Sequence, residues 1–203
     1  MIHIVDYGTG NVGSVLNMIR KVGGEARASG DAEELLKATK LLLPGVGSFD
    51  NAVQKLGKLG LPDLLRDKVR EGVPLLGICL GMQLLSDGSE EGVLPGLGLI
   101  PGRVRRFSFG PECADLKIPH MGWNRIRRRK AHPLLDGLDE KSRFYFVHSY
   151  HYQCQDEADV LLETPYGYDF TSGVQRGNVM GVQFHPEKSH RYGMQLMKNF
   201  VGI

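Results

Sequence analysis

The spacing of hydrophobic positions changes along the chain and divides it into two halves. Ile2 to Val5, Leu41-Leu42-Leu43 and Val73 to Ile78 are short, continuous apolar runs. Such runs predict strands buried on both faces, the habit of parallel sheets. Between them the apolar residues recur at helical spacing. Val12, Val15, Leu16, Ile19 and Val22 follow Gly8-Thr9-Gly10, with Asn11 placed as N-cap and Gly23-Gly24 as the stop. Asp31 and Glu34 predict a capping-box start to a second helix through Leu35 and Leu36. Pro62-Asp63 opens a third, carrying Leu64, Leu65, Lys68 and Val69. Pro44-Gly45 is expected to end the strand at Leu43, and Met82 to Leu85 to form an apolar helical stretch.

Beyond residue 100 the pattern alternates in part. Gly102 to Phe109, Met121 to Arg129, Phe144 to Tyr152 and Phe170 to Phe184 read as strands, with a hairpin turn at Arg176-Gly177-Asn178. Tyr192, Leu196 and Phe200 mark a closing helix. No repeat or linker-like stretch interrupts the chain. The expectation is one α/β domain over residues 1–203: a mostly parallel central sheet with helices on both faces, and an additional antiparallel β portion in the C-terminal half.

Composition narrows the function classes. The 203 residues are 41% apolar and 24% charged, and 25 basic against 23 acidic side chains leave a formal charge of +2. That balance offers no global reason to invoke nucleic acid. Met1-Ile2-His3-Ile4-Val5-Asp6 lacks the basic start of a signal peptide. The longest largely apolar run, Val73 to Leu85, falls well short of the ~18 residues of a membrane span. Cysteines at 79, 113 and 154 form no CxxC pair, and their odd number argues against a disulfide framework. A reduced, cytoplasmic setting suits a chain with a free thiol.

Gly77-Ile78-Cys79-Leu80-Gly81 joins an apolar strand to an apolar helix. A Gly-x-nucleophile-x-Gly pentad in that position is the sharp turn that lifts one side chain clear of a sheet. Here the lifted group is a thiol, a strong nucleophile once a base takes its proton. His185 is the candidate base, and Glu187, two positions on and so on the same strand face, is its candidate orienter. Pro186 cannot donate to a ladder and places the pair at a sheet end. The order Cys, His, Glu departs from α/β-hydrolases, whose acid precedes the histidine. The constellation points to acyl transfer through a thioester. A glycine loop, Pro44-Gly45-Val46-Gly47-Ser48, and the N–H of Leu80 are candidate donors to the developing oxyanion.

Other motifs have plainer readings. Cys113 and Cys154 lack the flanking glycines and read as structural. His148 and His151, three apart on a strand, are expected on opposite faces and so share no metal. Gly8-Thr9-Gly10-Asn11-Val12-Gly13 matches a dinucleotide fingerprint, but its acidic partner is ambiguous, and the same glycines suit a tight loop facing a protein partner. The basic residues Arg103 to Arg106 and Arg125 to Lys130 have no interleaved stacking aromatics and read as a solvated face.

These runs resemble the class I (triad-type) glutamine amidotransferases, and within them the glutaminase-subunit family of imidazole glycerol phosphate synthase. The similarity rests on Ile4 to Asn11, Pro44 to Phe49, Gly77 to Gln83, Pro119 to Asn124, Phe144 to Tyr150 and Gly181 to Ser189. It implies that Cys79, His185 and Glu187 form the triad. Gly45, Val46, Gly47 and Leu80 would surround the oxyanion, and Gln83, Ser149 and Tyr150 would hold the glutamine. It further implies no cofactor or metal, and a heterodimer with a (β/α)8-barrel cyclase that receives ammonia, with Asn11, His120 and Trp123 on the interface side. The glutaminase of pyridoxal 5′-phosphate synthase, a non-catalytic module and a dinucleotide binder are the competing readings.

Overall fold

The computed structural model describes residues 1–113 and 115–203. Its first half alternates β1 (Ile2–Val5), α1 (Val12–Lys21), β2 (Ala26–Ser29), α2 (Ala32–Leu36), β3 (Leu41–Gly45), α3 (Phe49–Lys58), α4 (Leu61–Arg70), β4 (Leu75–Cys79) and α5 (Leu80–Gln83). The second half holds β5 (Gly88–Ser89), β6 (Gly102–Arg106), β7 (His120–Arg125), β8 (Arg127–Arg128), β9 (Arg143–His148), β10 (Tyr150–Cys154), β11 (Val160–Tyr166), β12 (Tyr168–Arg176), β13 (Val179–Val182) and α6 (His190–Gly202).

Strands β2-β1-β3-β4-β13 lie parallel. The sheet continues antiparallel through β12, β10 and β6, with β5 at the far edge and β11 alongside β12. Antiparallel β7 and β9 form a second, two-stranded sheet. Successive residues of each parallel strand feed opposite faces. Ile2, Ile4, Leu42, Leu76 and Ile78 join one buried cluster with Val15 and Ile19 of α1 and Phe200 of α6. Val5, Leu41, Leu43 and Leu75 join the other with Phe49 and Leu56 of α3 and Leu61 and Leu65 of α4. Burial on both faces is why these strands read as unbroken apolar runs. Each fully buried leucine contributes about 1.5–3 kcal/mol. The parallel core, the flanking helices and the antiparallel extension are those expected. No helix of the described residues is long and apolar enough to cross a membrane.

Several local expectations are corrected. Strand β3 runs on through Pro44 and Gly45, because β1 pairs with it only at Leu41 and Leu42 and Pro44 lies beyond that ladder. Asn11 sits at the N-cap of α1, but its side chain makes no capping bond. Asp31 caps α2 through Glu33, and Glu34 turns to Arg27 instead of closing a capping box. The helix after Cys79 is short, Leu80–Gln83. Phe144 to Tyr152 splits at Ser149 into β9 and β10. That break brings His148 and His151 to the same rings, Phe107 and Phe170, so they do not lie on opposite faces.

Candidate active site

The site begins with a tight fit. Cys79 ends β4 and opens α5 with φ 55° and ψ −112°, a conformation that side chains bearing a β-carbon rarely adopt. The flanking glycines permit it. A β-carbon at Gly81 would lie 1.8 Å from the Leu43 carbonyl oxygen, and one at Gly77 would lie 2.6 Å from that of Gly81. The turn thus packs onto the neighbouring strand and turns the thiol toward the end of the sheet. Gly45 sits beside Cys79 in the β3–β4 register, so Val46 and Gly47 emerge next to the nucleophile. Leu80 opens α5, and its N–H has no acceptor within the helix.

Past β13 the chain crosses to β9, where His185 N–H donates to Tyr145 O at 2.9 Å. Ser189 ties the same crossing, accepting from Tyr145 N and donating to His185 O at 2.6 Å. Residues Pro186–Lys188 form a 3-10 turn. His185 and Glu187 therefore meet through that turn and not through strand alternation, with Nδ1 2.8 Å from Oε1. Their side chains are 3% and 2% exposed. With Nδ1–H given to Glu187, Nε2 is buried without a hydrogen-bond partner among the described residues and faces Cys79. Burial alone would lower the imidazole pKa. The Cys79 sulfur and the Glu187 carboxylate outweigh it and push the value up to about 10.

These groups open onto a cavity of about 360 Å³ lined by Val46, Gly47, Cys79, Leu80 and His185, and by Gln83, Ser149 and Tyr150. Of the residues expected around the site, Gly45 and Glu187 are set back from the wall, Gly45 buried one position before Val46 and Glu187 behind His185. Gln83 Nε2 donates to Tyr150 O at 3.1 Å and to Gln183 Oε1 at 3.0 Å. Gln183, fully buried, turns its own Nε2 to Cys79 Sγ at 3.8 Å. Sequence reasoning left Gln183 without a role, although it stands two residues before His185. It also missed Glu91, which lines the cavity and accepts from Phe49 N–H at 2.9 Å. Burial raises the Glu91 carboxyl above the usual range, only partly offset by the Phe49 N–H.

The residues expected on a partner-facing side separate. Trp123 is 46% exposed on β7, and Asn11 is half-buried. His120 is buried, its ring stacked between Phe146 and Tyr166, so its side chain is not presented to a partner. The Gly8 loop is held by Lys55 Nζ on Gly8 O at 2.9 Å and packs against Pro44 at the root of the glycine loop.

A thiol on a strained elbow, an imidazole oriented by a buried carboxylate, and a cavity bordered by Val46 and Gly47 can carry acyl transfer through a thioester. The family model Glutamine amidotransferase class-I matches residues 3–202. Among curated relatives, the imidazole glycerol phosphate synthase subunit HisH 2 of Methanococcus maripaludis is 54% identical, covering 99% of this chain and 98% of its own. The protein of the same name from Pseudomonas aeruginosa is 52% identical over the full length of both. Among solved structures, Thermotoga maritima PurLQS contains a chain with a TM-score of 0.75 at 19% identity, covering 99% of this chain and 97% of its own. A structure described as a glutamine amidotransferase gives 0.70 at 23%, covering 100% and 99%. With the family model matched almost end to end and full-length relatives above half identity, the chain belongs to the class I glutamine amidotransferases.

Proposed function

We propose that the chain, acting as one domain over residues 1–203, is the glutaminase subunit of an imidazole glycerol phosphate synthase. The observation that carries the chemistry is Cys79 on its elbow beside the buried His185–Glu187 pair. The 54% identity to the Methanococcus maripaludis HisH 2 supports the choice of subunit within the family.

Glutamine enters the cavity with its amide carbon at Cys79 Sγ. Glu91 receives the α-ammonium, and Gln83, Ser149 and Tyr150 hold the amino-acid end of the substrate. His185 carries the proton as the sulfur attacks, and Glu187 holds the imidazolium through Nδ1–H. Charge gathers on the amide oxygen, which the N–H groups of Leu80 and of the Val46–Gly47 segment stabilise. His185 then returns its proton to the amide nitrogen, ammonia departs and a glutamyl thioester remains. Water attacks the thioester, giving its proton to His185, and the collapse releases glutamate and the thiol. Free ammonia is protonated in water and loses its nucleophilicity, so the product is best used by a cyclase subunit docked on this chain, a (β/α)8 barrel in a heterodimer. A reducing cytoplasm suits three unpaired cysteines, one of them the nucleophile.

The test is glutamine hydrolysis by the chain alone, then with the cyclase subunit and its ribulose-phosphate ligand. Low activity alone and strong stimulation by the pair are expected. No hydrolysis under either condition rejects the reading and favours the barrel of pyridoxal 5′-phosphate synthase as the partner to try.

A further inference from the structure

Behind the cavity lies a pair of buried histidines that the mechanism does not use. His120 on β7 and His148 on β9 face each other in the antiparallel register. Their side chains meet with His120 Nδ1 3.0 Å from His148 Nε2. Phe107, Phe146, Phe170 and Tyr166 pack around them. His148 also lines the cavity wall, immediately before Ser149 and Tyr150.

The bonds at each end determine where the protons sit. His148 Nδ1 lies 2.8 Å from Tyr150 O, and a carbonyl oxygen only accepts, so Nδ1 carries the hydrogen. Nε2 of His148 is then a lone pair, and His120 Nδ1–H donates to it. That leaves His120 Nε2 as the acceptor for Asn124 Nδ2, 3.3 Å away. Asn124 cannot be turned round. Its Nδ2 also donates to Pro165 O at 2.8 Å, and its Oδ1 accepts from Arg125 N at 2.8 Å. Protonating either ring would set two donors against each other or against the Asn124 amide. No carboxylate bonds to either ring among the described residues. Burial accordingly lowers His120 to about 4 and His148 well below the ordinary histidine range.

The far end of the relay reaches the nucleophile. The Tyr150 carbonyl that receives His148 Nδ1–H also receives Gln83 Nε2, whose second hydrogen goes to Gln183, whose Nε2 faces Cys79 Sγ. Two donors thus converge on one carbonyl: the histidine pair anchors the Tyr150 acceptor that borders the cavity and orients the Gln83 amide, and Gln83 in turn orients Gln183 beside the sulfur. We propose that His120 and His148 are positioning residues, a neutral, tautomer-locked pair that fixes the Tyr150 carbonyl and, through it, the Gln83–Gln183 amides beside Cys79. The inference rests on the glutaminase reading of the cavity.

Two measurements test it. Nitrogen-15 NMR of the histidine-labelled chain in complex with the cyclase subunit reports each tautomer directly. Both rings are expected as neutral Nδ1–H forms, and an Nε2–H tautomer or an imidazolium at either position overturns the proposal. In the glutaminase assay, His120→Phe keeps a ring in the stack but removes the donor, and His120→Asn restores an amide N–H where Nδ1–H stood. The Phe variant is expected to lose about tenfold in kcat/KM, the scale of one hydrogen bond. The Asn variant should recover to within about threefold of the parent on the same scale. A histidine needed only for packing gives the opposite order, and an Asn variant no better than Phe overturns the relay. An inactive parent complex would reject the glutaminase reading, while the NMR still decides the tautomers.

Discussion

His185 and Glu187 are two residues apart, joined Nδ1 to Oε1 at 2.8 Å, and almost wholly removed from solvent. The carboxylate holds one ring nitrogen and leaves the other turned toward Cys79. Because the folded-state pKa of His185 is raised from 6.5 to about 10, its protonation stabilises the fold. That contribution is complete below about 6.5 and fades as pH rises through about 10. Glu187→Gln removes part of it. In urea titrations the stability gap between parent and variant should be wide near pH 6 and narrow near pH 10.5. A gap that widens with pH would contradict the assignment. The variant should retain some turnover, slowed about 10–100-fold as for a lost orienting partner, whereas Cys79→Ala should abolish it.

Backbone strain at Cys79 gives a second expectation. Its φ of 55° suits glycine better than any residue with a β-carbon. Relief of such strain is worth about 1–3 kcal/mol, against an unfolded-chain entropy cost to glycine of about 0.5–1 kcal/mol. Cys79→Gly should therefore be at least as stable as Cys79→Ala, although both are inactive. Thermal denaturation decides it, and an alanine variant clearly above the glycine variant would show that the elbow is relaxed.

Glu91 gives a third. It reaches the cavity while anchored to Phe49 N–H, a bond that a glutamine side chain can also accept. Glu91→Gln should raise KM for glutamine about tenfold with kcat nearly unchanged, the pattern of a lost binding charge. Since burial raises its pKa, the parent KM should begin to climb on acidification earlier than for an ordinary carboxylate, and the KM of the variant should stay flat there. Steady-state KM profiles against pH separate the two, and a variant whose KM matches the parent would remove Glu91 from the site.

What the chain disclosed in advance follows from how local each feature is. The elbow was legible because glycines, strand and helix adjoin Cys79 in sequence. The His185–Glu187 pairing was legible too, but for a strand geometry that the 3-10 turn at Pro186 replaces. Gln183 was not legible, because its role depends on an amide a hundred positions away. Helix α3 carries Phe49, Ala52 and Leu56 at helical spacing, yet went unread among glycines and charges. His120 was misjudged although alternation along β7 holds the answer: Met121 and Trp123 point outward, so His120 points in.

That alternation carries the last prediction. Trp123 and Met121 stand on the outer face of β7, 46% and 62% exposed. Trp123 is not loose there. Its ring stacks on His190 at 5.4 Å and meets Tyr145 edge-on at 6.2 Å. A large side chain held rigid and half in water loses little entropy on being covered, which is the character of an interface anchor. Because it is exposed, its removal should leave the fold intact: Trp123→Ala is expected to melt within about 2 °C of the parent, in the range of a near-neutral surface change. Affinity for the cyclase subunit should fall by about 2 kcal/mol or more, roughly 30-fold in Kd. Calorimetric titration of the two chains measures it. Binding as tight as the parent's would move the interface away from β7.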